Sequence, residues 1–321
     1  MASGGEASAA WLSPVASLLV VGCSFQLNGA SVNDGAPPIT HVPAVPAVSA
    51  TPAVPAAESA RSAQRFVVIG DYGASGADEA KIANLARGLK PDFIITTGDN
   101  NYPLGEAETI DENVGLYFHD FIAPYRGAFG TGASENRFFP CLGNHDWYTF
   151  GAKPYLDFFS LPNNERYYDF VRGPVQLFAL DSDPIEPDGT EFTSVQGHWL
   201  EQRLLASTVP WRVVYFHHSP YSSGPHGPTL GMRWPFQKWG ATLVYSGHDH
   251  TYERFAVDGF PYIVNGAGGS ELYEFTDPAP GSVVRVGDVH GLVLVTVTET
   301  ELVSRFLDAR GVELDALRLT R

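Results

Sequence analysis

The sequence predicts an α/β fold in which polar side chains follow the carboxyl ends of several strands. Five short apolar runs, rich in β-branched residues, each lead into a turn with Asp, Asn or His: FVVIGDYG, DFIITTGDNNY, RFFPCLGNHD, RVVYFHHSPY and ATLVYSGHDH. Between the first two runs lies ADEAKIANLARGLKP, whose apolar residues recur at helical spacing. A strand, a helix and a strand in this order predict a parallel βαβ unit with a right-handed crossover.

The helix of this unit is predicted from its apolar positions and from the residues that end it. Gly88 and Pro91 mark its end. Its apolar positions are Ile82, Leu85, Ala86 and Leu89. Because open parallel sheets bind ligands at the carboxyl ends of their strands, all five polar turns are expected at one edge.

The five turns concentrate residue types that bind metal ions. By itself, Asp71 would be typical of a turn or of a helix N-cap. Turn chemistry, however, has no use for repeated histidine. Together the turns hold Asp71, Asp99, Asn144, His145, His217, His248 and His250. The set therefore predicts a metal site at the edge of the sheet.

The chain is acidic, and its charge restricts the class of partner. Its 321 residues carry a formal net charge of −16 at pH 7. No cluster of Lys or Arg appears along the sequence. Because nucleic acid phosphates are bound mainly by Lys and Arg, a nucleic acid partner is not expected. A small phosphorylated substrate can still bind where a metal ion dominates the local field.

The amino-terminal segment, residues 1–23, has features of an export signal. An apolar stretch from Ala9 to Gly22 precedes Cys23 and is too short to span a bilayer. It resembles a bacterial lipobox, whose cysteine becomes a lipidated membrane tether. An extracytoplasmic location, whether periplasmic, secreted or lipid-anchored, is therefore expected. The alternative is a disordered apolar tail, because the first eight residues contain Glu6 and no Lys or Arg.

Residues 24–63 are predicted to be a disordered linker, and residues 64–321 the folded domain. The stretch PPITHVPAVPAVSATPAVPAAESARS is dominated by Pro and Ala, which favour an extended chain and supply no core. Cys141 lies in the apolar stretch FFPCLG and is expected to be a buried small side chain. With no CxxC pair, the cysteines predict neither a disulfide framework nor a structural zinc site.

The five turns resemble, in order, the five sequence blocks of the metallophosphoesterases, and in particular of the tartrate-resistant-like, bacterial-type purple acid phosphatase branch. That branch has the pattern DxG, GDxxY, GNH followed by D or E, VxxH and GHxH. The matching segments here are residues 71–73, 98–102, 143–146, 214–217 and 247–250. The resemblance covers about residues 65–310. It implies a four-layer αββα sandwich of two mixed β-sheets flanked by helices, with residues 64–321 as the catalytic domain.

The resemblance also implies a dinuclear metal site. Two metals roughly 3.5–4 Å apart need a bridging carboxylate, and Asp99 is assigned to that position. The other ligands are Asp71, Tyr102 and His250 on the first metal, and Asn144, His217 and His248 on the second. Carboxylate, phenolate and imidazole suit Fe(III), whereas two imidazoles with an amide oxygen suit Fe(II), Zn(II) or Mn(II).

Tyr102 distinguishes this branch from the wider superfamily, whose first block is usually DxH. Gly73 stands where that histidine would be, so one ligand is missing from the first block and Tyr102 restores the number. An ionised Tyr102 also offsets the additional charge of a ferric ion. Because a free tyrosine has a pKa near 10, only strong coordination would keep it ionised near neutrality. The alternative is an exposed aromatic residue in a turn.

Three further residues are predicted to take part in catalysis, each with a second interpretation. The resemblance implies that His145 contacts phosphate and protonates the leaving alkoxide; otherwise it makes only an orienting hydrogen bond. Asp146 either holds the His145 ring or caps a helix or turn. His226 matches a family histidine near the substrate phosphate, unless it is a solvated loop residue among Gly and Pro.

Adjacent His217 and His218 would lie on opposite faces if the fourth strand continued through them, and the VxxH spacing selects His217 as the ligand. Arg254 is open to two interpretations, a phosphate clamp or a structural ion pair. The run at residues 265–269 is glycine-rich but lacks the Walker lysine, which favours a turn. GLVLVTVTETELVSRF predicts a hairpin in the second sheet.

The expected function is hydrolysis of phosphate monoesters, in the manner of acid phosphatases, by a metal-bound hydroxide that attacks phosphorus in line. A phosphodiesterase or nucleotidase would use the same metals. From another class, the chain would be a binding module on a scaffold that has lost catalysis. Such scaffolds typically lose ligands, and all seven predicted ligands are present here.

Overall fold

The computed structural model describes residues 63–321. The predicted signal segment, residues 1–23, and almost all of the predicted linker, residues 24–63, lie outside this range. Within it, no helix combines the length and the apolar character that crossing a membrane requires.

Between residues 63 and 321, thirteen strands form two mixed sheets. Their bounds are β1 Gln64–Ile69, β2 Phe93–Thr96, β3 Phe138–Pro140, β4 Tyr168–Arg172, β5 Val175–Ala179, β6 Trp211–Tyr215, β7 Leu243–Ser246, β8 Tyr252–Val257, β9 Phe260–Asn265, β10 Ser282–Val286, β11 Gly291–Val297, β12 Glu301–Asp308 and β13 Glu313–Thr320. The first sheet has the order β13-β12-β11-β1-β2-β3, and the second has the order β10-β8-β9-β7-β6-β5-β4.

In the described part of the chain, six α-helices and several single turns connect the strands. The helices are α1 Ala77–Leu89, α2 Leu116–Phe118, α3 Asn144–Trp147, α4 Lys153–Phe158, α5 Val195–Ala206 and α6 Phe236–Trp239. A π-helical turn spans Asp111–Gly115, and 3₁₀ turns span His119–Phe121, Phe150–Ala152 and Leu230–Met232.

The predicted βαβ unit is confirmed. β1 and β2 pair in parallel and α1 connects them. Ile82 and Ala86 are buried, as their helical spacing predicts. The helix ends where Lys90 takes a left-handed conformation with φ of 50°, one residue before Pro91. Because proline has no backbone N–H and fixes φ, it does not continue the helix.

Three apolar clusters separate the four layers. The central cluster lies between the sheets and contains residues from both, such as Phe66 of β1 and Tyr215 of β6. The next residue along β1, Val67, belongs instead to a second cluster with Ile82 of α1. A third cluster packs Leu200 of α5 against the outer face of the second sheet. Alternate side chains of a strand point to opposite faces, so both faces of β1 are covered and the αββα sandwich is confirmed.

The five polar turns do not all lie at the edge of one sheet, contrary to the sequence prediction. The first three follow β1, β2 and β3 of the first sheet, whereas the last two follow β6 and β7 of the second. The carboxyl ends of both sets face the same end of the sandwich. The predicted carboxyl-terminal hairpin, β11 and β12, also lies in the first sheet, paired with β1, rather than in the second.

Arg254 is part of a structural ion pair, the second of its two interpretations. Its guanidinium contacts both carboxylate oxygens of Asp315 at 2.6 and 3.0 Å, and Tyr252 donates a hydrogen bond to the same carboxylate at 2.7 Å. Because β8 and β13 belong to different sheets, this pair ties the two sheets together. Its side chains are 16% and 8% exposed, so it is well shielded from solvent.

Replacing Asp315 with Asn is expected to reduce the free energy of unfolding by about 2 kcal/mol, between the values for exposed and buried pairs. The amide keeps one acceptor but leaves the guanidinium without a counter-charge. The measurement is urea denaturation, with Asp157→Asn as the control because Asp157 forms an exposed pair with Lys153. Equal, small effects of the two substitutions would show that the pair between the sheets contributes nothing special.

Candidate metal centre

The predicted ligands lie just beyond the strands, in turns with unusual backbone conformations. Asp71 follows β1 by two residues, Asp99 follows β2 by three and His248 follows β7 by two. All three have positive φ, at 55°, 52° and 72°. Residues other than glycine rarely adopt this region, and it clusters at functional sites where the surrounding structure enforces it. The turns therefore hold these side chains at a conformational cost.

Gly73 lets two of these turns approach each other closely. A Cβ at this position would lie 1.8 Å from the carbonyl oxygen of Asn100, so no side chain fits. The carbonyl of Gly73 accepts a hydrogen bond from the Tyr102 N–H at 2.7 Å. The glycine that removes one potential ligand is thus the residue against which the Tyr102 turn docks.

Four side chains converge at the first set of ligands. The Tyr102 hydroxyl lies 3.4 Å from Asp71 Oδ1, 3.0 Å from Asp99 Oδ2 and 3.1 Å from His250 Nε2. His250 Nε2 lies 3.5 Å from Asp71 Oδ1. Asp71, Asp99 and His250 also form a buried group with mutually close ligand atoms. Tyr102 is therefore not an exposed turn residue but the centre of this group.

The second set of ligands converges on His217. Its Nε2 lies 3.0 Å from Asn144 Oδ1, 3.1 Å from His248 Nδ1 and 3.4 Å from Asp99 Oδ2. Asp99 Oδ2 thus belongs to both sets. The backbone N–H of His145 donates to the other oxygen, Oδ1, at 2.9 Å and fixes the orientation of the carboxylate.

Hydrogen bonds on the far side of two rings select the nitrogen that faces the site. His217 Nδ1 lies 2.9 Å from the carbonyl oxygen of Thr97, and His250 Nδ1 lies 2.6 Å from that of Glu271. A carbonyl can only accept, so each Nδ1 carries a proton, and in the neutral ring the lone pair is on Nε2. Metal-binding histidines are generally oriented in this way.

The donors fit two metal ions by type and by spacing. Ligand atoms bound at about 2.0–2.2 Å to one ion lie roughly 3.0–3.5 Å apart in octahedral or tetrahedral geometry. The distances within each set fall in that range, from 3.0 to 3.5 Å. A shared carboxylate oxygen between oxygen and imidazole donors is what a dinuclear centre requires.

The charges within the site also favour the binding of cations. Burial, then the negative charges of Asp99 and Asp71, raise the pKa of the Tyr102 phenol well above its usual value. Burial lowers the pKa of His248, and the charge of His217 lowers it further. His248 is therefore neutral, the form that binds metals, whereas Tyr102 ionises only beside a strong positive charge.

His145 and His226 both line a cleft of about 440 Å³ that opens onto the ligands. His145 Nδ1 lies 2.6 Å from the carbonyl oxygen of Pro103, which leaves Nε2 directed to the site, 3.9 Å from Asp99 Oδ2. The exposed His226 ring stacks on His248, with centroids 4.1 Å apart. His145 and His226 thus place imidazoles on the wall and at the mouth of the cleft that are not among the predicted ligands.

Asp146 occupies the second of its two predicted roles. It is buried, and its carboxylate accepts hydrogen bonds from the Gly143 N–H at 2.9 Å and from the Asn100 side chain at 2.8 Å. It does not hold the His145 ring, whose Nδ1 contacts Pro103 instead. Burial, followed by the charge of Asp99, raises the pKa of Asp146 to about 7. Asp146 therefore joins two ligand turns rather than acting on a catalytic ring.

His217 and His218 both reach the site, contrary to the expectation of opposite faces. β6 ends at Tyr215, so the strand alternation does not extend to them. Their ring centroids are 5.0 Å apart and nearly perpendicular, and His218 lines the cleft. Burial first, then the charge of His217, lowers the pKa of His218 to about 3.

Four further cleft residues had no place in the sequence prediction: Tyr148, Asp183, Pro184 and Tyr273. The Tyr148 hydroxyl accepts a hydrogen bond from the Asn144 amide at 3.1 Å, which turns the amide oxygen to His217. Tyr273 stacks parallel to His250, with centroids 4.1 Å apart. Asp183 had a detectable signal, because VQLFALDSDP is a sixth apolar run followed by acidic turn residues.

Comparison with known proteins gives a family and several relatives for this chain. The family model for calcineurin-like phosphoesterases matches residues 64–252, more than half of the chain. Human tartrate-resistant acid phosphatase type 5 is 24% identical over 306 residues, which cover 80% of this chain and 91% of the human protein. Purple acid phosphatase 17 of Arabidopsis thaliana is 26% identical over 238 residues, or 63% of this chain and 68% of that protein.

Two solved structures share the fold. Purple acid phosphatase PPD1 from yellow lupin seeds superposes with a TM-score of 0.66 at 19% identity, over 81% of this chain. The chain spans about half, 54%, of the lupin protein. GAP50, the anchor in the inner membrane complex of Plasmodium, superposes with a TM-score of 0.62 at 17% identity, over 80% of this chain and 89% of GAP50. At these identities the likeness extends to the fold alone.

The structural role of Asp146 predicts a specific effect of Asp146→Asn. Metal affinity is expected to fall about 10- to 100-fold, because an amide cannot accept all the hydrogen bonds that hold the two turns. The pH of half-maximal activity is expected to stay unchanged at saturating metal. Calorimetric metal titration and a pH–rate profile measure the two effects. A shifted profile with unchanged metal affinity would instead place Asp146 in control of His145.

Proposed function

Because the chain belongs to the calcineurin-like phosphoesterase family, we propose that it hydrolyses phosphate monoesters with two metal ions. Family membership and the acid phosphatase relatives identify the chain as a phosphoric ester hydrolase. The observation that carries the two-metal proposal is the position of Asp99 Oδ2, which lies 3.0 Å from the Tyr102 hydroxyl and 3.4 Å from His217 Nε2. One carboxylate oxygen thus serves two sets of ligands.

The proposed ligands follow the two sets. Asp99 would bind both ions. Asp71, Tyr102 and His250 would hold the first, and Asn144, His217 and His248 the second. When bound, the two ions would supply positive charge for the phosphate and lower the pKa of a coordinated water. We propose Fe(III) at the first position, because phenolate and carboxylate suit a hard trivalent ion, and Fe(II), Zn(II) or Mn(II) at the second.

His145 and His226 would act on the substrate. The Nδ1–H of His145 is directed to the Pro103 carbonyl at 2.6 Å, so its ring is held with Nε2 toward the cleft. A proton at Nε2 would be transferred to the departing alcohol oxygen, as general acid catalysis requires. His226, exposed at the mouth of the cleft and stacked on His248, would donate a hydrogen bond to a phosphate oxygen.

The preference for monoesters over diesters is the more specific part of the proposal. It is supported by the acid phosphatase relatives, which are 24% and 26% identical to this chain. The competing function is hydrolysis of phosphodiesters with the same ligands. Rates on 4-nitrophenyl phosphate and on bis(4-nitrophenyl) phosphate separate the two. A higher kcat/KM for the bis-ester would overturn the monoester assignment.

A binding function without catalysis is the other alternative, because GAP50 has this fold and is described as an anchor. The convergence of all seven predicted ligands favours hydrolysis here. We further propose that the protein acts outside the cytoplasm and that Cys23 carries a lipid tether. This part rests on the sequence of residues 1–23 alone, and mass spectrometry of the mature protein tests it.

Asp99→Asn is expected to abolish dinuclear metal binding and to lower kcat by at least about 100-fold. In the variant, the amide oxygen can still accept the hydrogen bond from the His145 N–H. The amide NH₂ group then stands where the oxygen shared by the two ligand sets was. Metal analysis and hydrolysis of 4-nitrophenyl phosphate measure the two effects. Glu299→Gln is the control, because Glu299 lies in the exposed turn between β11 and β12, remote from the ligands. Full activity of Asp99→Asn would overturn the proposed mechanism.

Tyr102→Phe tests the ferric assignment. A ferric phenolate absorbs visible light by charge transfer, so the iron-loaded protein is expected to be coloured and the variant to lack the band. Tyr148→Phe is the matched control, because Tyr148 also lines the cleft but contacts the amide of Asn144. A band that persists in Tyr102→Phe, or an active protein without iron, would contradict Fe(III) at this position.

A further inference from the structure

Among the described residues, the wall of the cleft has no Lys or Arg side chain and has one carboxylate with no salt-bridge partner. Among the described residues that line it, none is Lys or Arg. Apart from Asp99, which belongs to the metal ligands, the only carboxylate in the lining is Asp183. A substrate that enters this cleft therefore meets a negative charge beside the position of its phosphate.

Two hydrogen bonds hold Asp183 in place and leave one oxygen of its carboxylate for another partner. The residue is 5% exposed. Its N–H donates to Asp181 Oδ1 at 3.0 Å, and its own Oδ1 accepts the Ile185 N–H at 2.9 Å. Within residues 63–321, Oδ2 accepts no hydrogen bond, and it is not sealed from solvent. Because Asp183 lines the cleft, this oxygen is available to a ligand there.

Within residues 63–321, no salt bridge offsets the negative charge of ionised Asp183, although burial raises the pKa of its carboxyl group. Arg166, which contacts the loop after Asp183, is engaged by Glu186 at 2.9 Å and by Asp188 at 3.0 Å. These two acids add to the negative field of the same loop. Nothing within the described residues neutralises Asp183 as a salt-bridge partner.

Tyr148 lines the same cleft as this carboxylate. Trp147 Nε1 donates to Asp181 Oδ2 at 2.9 Å, and the other oxygen of Asp181 accepts the Asp183 N–H. Helix α3, which ends at the residue before Tyr148, is thereby joined to the turn that carries Asp183. The Tyr148 side chain is 56% exposed, so part of its aromatic face is available in the cleft. A carboxylate next to an aromatic ring is a favourable environment for an ammonium group.

We propose that the Tyr148–Asp183 wall selects phosphate monoesters of amino alcohols and rejects esters whose alcohol carries a further negative charge. The proposal rests on the phosphomonoesterase function above, since the metals would hold the phosphate while the wall would contact the alcohol part of the ester. Placing like charges side by side in a cleft of intermediate dielectric weakens binding substantially, and opposite charges strengthen it.

Three esters of similar length test the wall: 2-aminoethyl phosphate, 2-hydroxyethyl phosphate and carboxymethyl phosphate. Their alcohols carry a positive, a zero and a negative charge. The variant is Asp183→Asn, which can retain the Oδ1 acceptor for Ile185 and removes only the charge. Intrinsic reactivity differs among the esters but is the same for both enzymes, so the change in the kcat/KM ratio reports the wall alone.

The expected result is that Asp183→Asn lowers the kcat/KM ratio of the amino ester to the carboxylate ester by on the order of tenfold or more. The hydroxy ester is expected to change by less than about threefold. The control Asp258→Asn, in the exposed turn between β8 and β9 at the opposite end of the sheet, should leave the ratio unchanged. In the wild type, the ratio should also decrease as ionic strength rises.

An unchanged ratio in a folded Asp183→Asn variant overturns the proposal, as does an equal change in Asp258→Asn. If Asp183→Asn fails to fold, a wild-type ratio that is independent of salt overturns it instead. In either case, hydrolysis of the hydroxy ester would leave the phosphomonoesterase function standing. No hydrolysis of any of the three esters, or of 4-nitrophenyl phosphate, would overturn both.

Discussion

The position of one carboxylate oxygen, Asp99 Oδ2, is the constraint on which the rest of the site depends. Its neighbours come from different sheets: the Tyr102 hydroxyl at 3.0 Å from the first, and His217 Nε2 at 3.4 Å from the second. A carboxylate can link two ions only if both ligand sets are held within a few tenths of an ångström. The central apolar cluster between the sheets fixes that separation, so the core sets the geometry of the chemistry.

The precision has an energetic cost that the surrounding structure offsets. Positive φ at Asp71, Asp99 and His248 costs on the order of 1–3 kcal/mol at each residue. The compensation is local and polar: the His248 N–H donates to Asp71, and Asp146 accepts hydrogen bonds from two ligand turns. Close backbone packing at Gly73 completes the arrangement. The strained turns are thus held from several sides and have little freedom to relax when no ion is bound.

The charges at the metal ligands and those on the cleft wall would have different roles in substrate recognition. Negative and neutral ligands prepare a site for cations, and the cations would in turn attract phosphate to a protein with a net charge of −16. The lining itself has no Lys or Arg to hold a second anion and instead presents Asp183. Affinity for phosphate would therefore come from the metals and two histidines, while the protein wall discriminates among the alcohols that the phosphate carries.

The sequence by itself determined the types of ligand and their order, because strand ends followed by Asp, Asn and His are local patterns. It also determined helix α1 and indicated that Tyr102 supplies the ligand that Gly73 cannot. Only the tertiary structure decided that the ligands divide between two sheets, that Asp146 joins two turns rather than a ring, and that Asp183 faces the cleft. These facts depend on contacts between residues such as Asn100 and Asp146, which are 46 positions apart. A local pattern records what a side chain can do, whereas packing between distant segments decides which partner it meets.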